Sequence, residues 1–298
     1  MKREMETMAN RVTVGLDGSP ESTAAARWAA HEAELRGASL DLVHAEEWLE
    51  NPPLPVTTTE DRRRWAEAVL RDTAEDVRRV HPSLKVDTRR VSGLPSLALT
   101  HAAEDSDMLV LGSRALGSVA GFLVGSTGFT TVAEAVRPVV LVRSVDRAGN
   151  PPDDARDTGP IVVGVDIHQP CDNLLAFAFE EASHRHSPLV IIHGWSPPPI
   201  LSYAPALDPG VQQEMANGIT GTMDEIIRPW HEKYPSLQVD PRATIGQPAI
   251  QILDAASTAA LVVVGRRIRL AAFGTRIGPI THAVMHHAVS PVAVIAHE

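Results

Sequence analysis

The chain repeats itself, and the repeat fixes most of what it can fold into. Pro82-Ser83-Leu84-Lys85-Val86-Asp87 returns as Pro235-Ser236-Leu237-Gln238-Val239-Asp240, and Gly93-Leu94-Pro95 returns as Gly246-Gln247-Pro248. Gly112, Gly121 and Gly125 return as Gly265, Gly274 and Gly278, again at 265 − 112 = 153 positions on. Nearer each start, Val14-Gly15-Leu16-Asp17 matches Val163-Gly164-Val165-Asp166 and Leu42-Val43-His44 matches Ile191-Ile192-His193, at 166 − 17 = 149. The second half must gain four residues between these registers, and the Pro-rich stretch from Ser196 to Gly210 is the expected place, since insertions collect in surface loops. Two domains follow, over residues 1–145 and 160–298. A linker over 146–159 joins them, where Asn150-Pro151-Pro152-Asp153-Asp154 offers almost nothing to bury.

In the first half, short apolar runs at Val12 to Leu16, Leu40 to Val43, Val86 to Val91, Met108 to Leu111 and Val139 to Val142 predict strands. Segments of helical periodicity separate them, such as Glu21 to Arg36 and Glu60 to Val80. Near-continuous apolar strands alternating with helices predict an α/β fold, a doubly wound five-stranded parallel sheet in each half. Such a sheet opens its ligand crevice at the carboxyl ends of the strands where their order reverses. Asp17, after the first strand, and Gly112, after the fourth, are expected to face one another there. The glycine-rich run from Gly112 through Gly121 to Gly125-Ser126 precedes a helical pattern. It predicts an anion-binding loop whose helix start offers unpaired N–H groups. Asp17 has a structural alternative, capping the helix that begins near Pro20.

These residues resemble a tandem universal stress protein over essentially both halves. The resemblance is carried by Val14-Gly15-Leu16-Asp17-Gly18-Ser19-Pro20, by Val43-His44, by Gly112 with Gly125-Ser126, and by the closing His287-Ala288-Val289-Ser290-Pro291-Val292. It implies the adenine nucleotide alpha hydrolase-like fold with strand order 3-2-1-4-5, and ATP, with Mg2+ accompanying it, lying across the crevice. Asp17 would then meet the adenosine end and the backbone around Val43 would line the adenine pocket. Gly112, Gly125 and Ser126 would hold ribose and phosphates, with Ala115 and Thr127 in the same stretch. Ala115 departs from the family pattern, standing where a second glycine is usual. The second half keeps Asp166, Gly265 and Gly278 but places Ile268 at the second glycine position and Pro279 at the serine position. Proline there removes a donor and a hydroxyl, so weaker nucleotide binding is expected in the second half and the main site in the first. Arg266, Arg267 and Arg269 can offset part of that loss by pairing with phosphate.

Other chemistries find little support. The lysines are Lys2, Lys85 and Lys233, so no P-loop is present, and Ser126 has Val124 where a nucleophile elbow needs glycine. His282 with His286, and His184 with His186, have metal-like spacing but no convincing third ligand. His44 and His193 read as loop-lining residues, and Cys171 reads as a bystander at a helix start. The net charge of −10 and pI near 5.7 argue against nonspecific nucleic-acid binding. The first residues lack a signal peptide's apolar core, no run reaches membrane-spanning length, and one cysteine suits a reducing interior, so a cytoplasmic protein is expected. The loops from Trp48 to Glu60 and from Trp195 to Gly210 border the crevice mouths. The last strands, Val139 to Val142 and Val292 to Ile295, are expected at sheet edges; the resemblance implies that they pair as an intramolecular pseudo-dimer and leaves a homodimer open.

The functional expectation is an ATP-binding stress-response protein that regulates an unknown protein partner through nucleotide-linked conformational change, with the loop from Ser113 to Val124 ordered by the ligand. A slow ATP hydrolase or phosphotransferase and a nucleotide-free scaffold stay open beside it. No general base stands out near Ser126, so any turnover is expected to be slow.

Overall fold

A computed structural model describes residues 10–46, 58–115, 122–144, 159–196, 209–268 and 277–297. The chain divides into two compact units, Met1–Pro151 and Pro152–Glu298. Of the expected linker only Gly159 is described. Gly117, Gly121, Trp48, Arg269 and Gly274 lie outside the described residues, as do most of the two loops expected at the crevice mouths.

The first unit runs β1 (Arg11–Gly15), α1 (Pro20–Leu35), β2 (Ser39–Glu46), α2 (Thr59–Val80), β3 (Val86–Ser92), α3 (Pro95–Ala102), β4 (Met108–Ala115), β5 (Phe122–Leu123), α4 (Ser126–Glu134) and β6 (Val139–Arg143). Its parallel strands lie in the order β3-β2-β1-β4-β6, the expected 3-2-1-4-5 once the two-residue β5 is set aside. Val12, Val14, Leu40, Leu42, Leu109 and Leu141 are wholly buried, each contributing ~1.5–3 kcal/mol of burial. Thr13, the polar member of β1, is also buried, and its Oγ1 shares a hydrogen bond with Ser106 Oγ at 2.6 Å. Two helices of this unit start where a side chain satisfies orphan N–H groups. Ser19 caps α1 with Pro20 just inside, and Thr58 with Asp61 forms a capping box for α2. Below that box Ala66, Leu70, Ala74 and Val77 give α2 its buried stripe.

The second unit repeats the plan as β7 (Ile161–Gly164), α5 (Asp172–Arg185), β8 (Leu189–Trp195), α6 (Pro209–Lys233), β9 (Val239–Ile245), α7 (Pro248–Ala256), β10 (Leu261–Arg267), α8 (Pro279–His287) and β11 (Val292–His297). Its strand order is β9-β8-β7-β10-β11. Buried Met223 and Ile227 of α6 stand 153 positions after buried Leu70 and Ala74 of α2, which fixes the register of these two helices.

Two sequence expectations about the glycine run are corrected. Gly112 and Ala115 do not lie in a loop. Strand β4 continues through both, Gly112 opposite Val142 and Ala115 opposite Phe122 of the antiparallel β5. The run fooled the sequence reading because glycine after an apolar stretch looks like a strand end. What holds it in the sheet is pairing with β6, which local pattern does not encode.

Candidate functional site

In the second unit the order reverses between β7 and β10, and a cavity of about 580 Å³ opens at their carboxyl ends. Asp166, His193, Trp195, Gly265, Gly278 and His297 are among the residues that line it. Asp166 Oδ1 accepts the backbone N–H of His168 at 3.1 Å, which folds the turn after β7. His193 Nδ1 lies 3.1 Å from the Val165 carbonyl, and the His168 ring meets the His193 ring edge-on at 6.0 Å. Trp195 is only 8% exposed, and its buried indole Nε1–H has no hydrogen-bond partner among the described residues. A buried donor without a partner costs ~1–3 kcal/mol.

The opposite wall is the start of α8. Gly278 is its N-cap, at φ −71°, with no side-chain cap, and a Cβ added there would meet nothing within 4 Å. Pro279 supplies no N–H, so the donors left at this helix start come from the residues after it. Thr281 Oγ1 donates to the Gly265 carbonyl at 2.6 Å and ties the helix to the end of β10. Gly265 is glycine for its own reason, since a Cβ would stand 2.5 Å from the His297 ring. Of the arginines expected to serve phosphate, Arg267 is exposed and lines the cavity, whereas Arg266 is buried. Ile268 is 44% exposed, its N–H donates to the His297 carbonyl, and it is not among the residues that line the cavity. Cys171 is the buried N-cap of α5, and burial, with Asp172 and Asp166 nearby, pushes its thiol up to about 11.

In the first unit Asp17 is exposed and its Oδ1 accepts from the backbone N–H and the hydroxyl of Ser19. Ser19 Oγ in turn accepts from Ser22 N at 3.1 Å. Ser19 is therefore the cap of α1, and Asp17 braces that cap. The register Val14 to Val110 puts Leu16 level with Gly112, so Asp17 leaves the sheet one residue beyond Gly112, as expected of neighbours across the reversal. Val43 is wholly buried and its carbonyl accepts Leu16 N–H at 2.8 Å. A Cβ on Gly112 would fall 2.4 Å from the backbone carbonyl carbon of Glu21, so this glycine admits the first turn of α1. Gly125 caps α4 with open space around it, followed by exposed Ser126 and half-buried Thr127, whose carbonyl accepts from Thr131 Oγ1.

The residue that sequence reasoning missed here is Trp65 of α2. Its ring lies edge-on to His44 at 5.4 Å and over Gly18, where a Cβ would come within 2.6 Å of it. His44 Nδ1 lies 2.8 Å from the Leu16 carbonyl, the same arrangement that His193 makes with Val165. The signal was in the repeat: 65 + 153 = 218, and position 218 is glycine. Among the described residues no three His, Cys, Asp or Glu side chains converge as a metal site, and no helix is long and apolar enough to cross a membrane.

The model of the universal stress protein family matches residues 8–143 and again 158–296. The chain belongs to that family. It is 33% identical over 294 residues to Universal stress protein Rv2005c of Mycobacterium tuberculosis (strain H37Rv), covering 95% of this chain and 96% of that one. It is 32% identical over 295 residues to Universal stress protein Rv2623 of the same organism, covering 95% of each. Among solved structures, a universal stress protein from Archaeoglobus fulgidus superposes with a TM-score of 0.73, at 17% identity and over 97% of this chain and 99% of that one. That likeness bears on the fold, which is the tandem α/β architecture of universal stress proteins.

Proposed function

We propose that this universal stress protein binds an adenine nucleotide, ATP in the first place, and uses it to bias a conformational state offered to a protein partner. The observation that carries the reading is the cavity of about 580 Å³ at the strand reversal, walled by an uncapped helix start and lined by Asp166, His193 and Arg267. Its size suits a mononucleotide, and a helix start with free N–H groups suits phosphate. The residues fit such a ligand. Asp166 and the turn after β7 stand at the nucleoside end, and Gly278, Arg267 and the start of α8 stand at the phosphate end. In the first unit Asp17 and the Val43 backbone are the matching nucleoside positions, and Gly125, Ser126 and Thr127 the matching phosphate positions. Gly112 and Gly265 act by letting the α1 backbone and the His297 side chain close up. Mg2+ bound with the triphosphate would neutralise charge there and needs few protein ligands.

The action we assign is binding rather than turnover, so a bound triphosphate is expected to stay intact over many minutes with Mg2+ present. A shift between two states requires different affinity for each, whichever partner reads it. The test is the nucleotide content of the purified protein, by denaturation and chromatography, followed by ATP titration of wild type, Gly125→Val and Gly278→Val. Both glycines have negative φ and open surroundings, so valine fits the backbone and intrudes only on the crevice. Binding lost in one variant assigns that unit's crevice; steady hydrolysis supports an enzyme instead, and no binding at all supports a nucleotide-free scaffold.

A further inference from the structure

Among the described residues the two crevices differ at the end away from the starts of α4 and α8. In the first, the Trp65 ring covers Gly18 and the edge of His44, the residues that directly follow Asp17 and Val43 in sequence. Gly18 is at φ +76°, and any side chain there would collide with that ring as well as strain the backbone. In the second, the position aligned with Gly18 is Ile167 and the position aligned with Trp65 is Gly218. Bulk has thus moved from helix to turn. A Cβ on Gly218 would meet nothing within 4 Å, and the aligned Val165, Asp166, Ile192 and His193 all line the open cavity. Trp65 is 50% exposed, so the ring is held by one face and is not a core residue.

We propose that Trp65 is a specificity-determining residue that closes the nucleoside end of the first crevice, so that the second crevice, with Gly218 at the aligned helix position, takes ligand first and more tightly. This rests on the nucleotide-binding reading and reverses the ranking expected from the phosphate loops. Loop completeness favours the first unit, but a flat base needs a slot of its own, and a tryptophan ring occupies the slot it would need.

The experiment is ATP–Mg2+ titration of the full chain by calorimetry, with AMP as a second probe, on wild type, Trp65→Gly, Trp65→Phe, Gly218→Trp and the double exchange. Wild type is expected to bind one equivalent tightly, and Gly278→Val to remove it. Trp65→Gly is expected to add or tighten a second equivalent by at least ~10-fold, and Gly218→Trp to weaken the first by at least ~10-fold. Trp65→Phe, which keeps a ring, is expected to behave much like wild type. Melting curves for each variant confirm that the fold is intact; Gly218 lies exposed on a helix, where a side chain raises helix propensity. Weaker binding in Trp65→Gly overturns the proposal, because the ring would then be a stacking platform. Two equal sites in wild type, or affinities unmoved by either exchange, overturn it while nucleotide binding stands. No binding in any of the five proteins overturns the nucleotide reading and this proposal with it.

Discussion

At the end where we propose phosphate the first unit presents Gly125 and Ser126 ahead of α4, while the second presents Gly278 and Pro279 ahead of α8. At the proposed nucleoside end the first unit has Trp65 over its turn, while the second has Gly218 at the aligned helix position and a cavity lined by Asp166 and His193. On that proposal one backbone plan carries two sites, each better provided at the opposite end. The difference teaches that a loop motif ranks only the part of a site it touches. A side chain about fifty residues upstream can outweigh it by occupying space, which no count of glycines records.

The comparison is broken most forcefully through a feature the units share. Glu32 and Arg36 of α1 form a buried i,i+4 ion pair at 2.6 Å, and Glu181 and Arg185 of α5 repeat it at 3.3 Å, 149 positions on. Removing one partner breaks a buried ion pair, so Glu32→Ala and Glu181→Ala are each expected to cost ~3–5 kcal/mol in chemical denaturation. A cost confined to one of them would show that the units are not energetically equivalent.

Next is the aligned glycine pair. Gly112→Ala would force a Cβ against α1 backbone and is expected to cost ~3 kcal/mol, whereas Gly265→Ala meets only the end of the His297 side chain and is expected to cost ~1 kcal/mol. Equal losses by thermal melting would deny that the two glycines serve different neighbours. At the ligand, Trp195→Ala removes a ring that lines the second crevice, so its dissociation constant is expected to rise ~5-fold. The aligned first-unit residue is Glu46, 195 − 149, and Glu46→Gln is expected to leave that constant unchanged. The smallest effect is at the end of the first helix of each unit. Gly37 is at φ +59°, and its counterpart His186 holds φ +51°, the only left-handed non-glycine among the described residues. His186→Gly is expected to stabilise by ~0.5–1 kcal/mol and Gly37→Ala to destabilise by a similar amount, both read from melting midpoints.

Much of the fold was legible because the repeat supplied a second reading of every element and the apolar runs were nearly continuous. Strand ends were less so: β2 continues through His44, Ala45 and Glu46, whose polarity hides a pairing with β3 that is set by the partner strand. Gly112 could be seen as special but not for the right reason, because its neighbour at Glu21 is a tertiary contact. The Thr58–Asp61 box was written in the sequence and marks the start of α2. Trp65 and Gly218 were aligned in plain view, but only the edge-on contact with His44 gives that pair a meaning for the site.

The lone cysteine has a consequence for the chain's dealings with oxidants. Peroxides and disulfides react with the thiolate, and at a pKa of about 11 only about one Cys171 in ten thousand is ionised at neutral pH. The side chain is buried as well, beside a crevice whose carboxylates repel a sulfur anion. Slow reaction with oxidants and little crosslinking are therefore expected at this position.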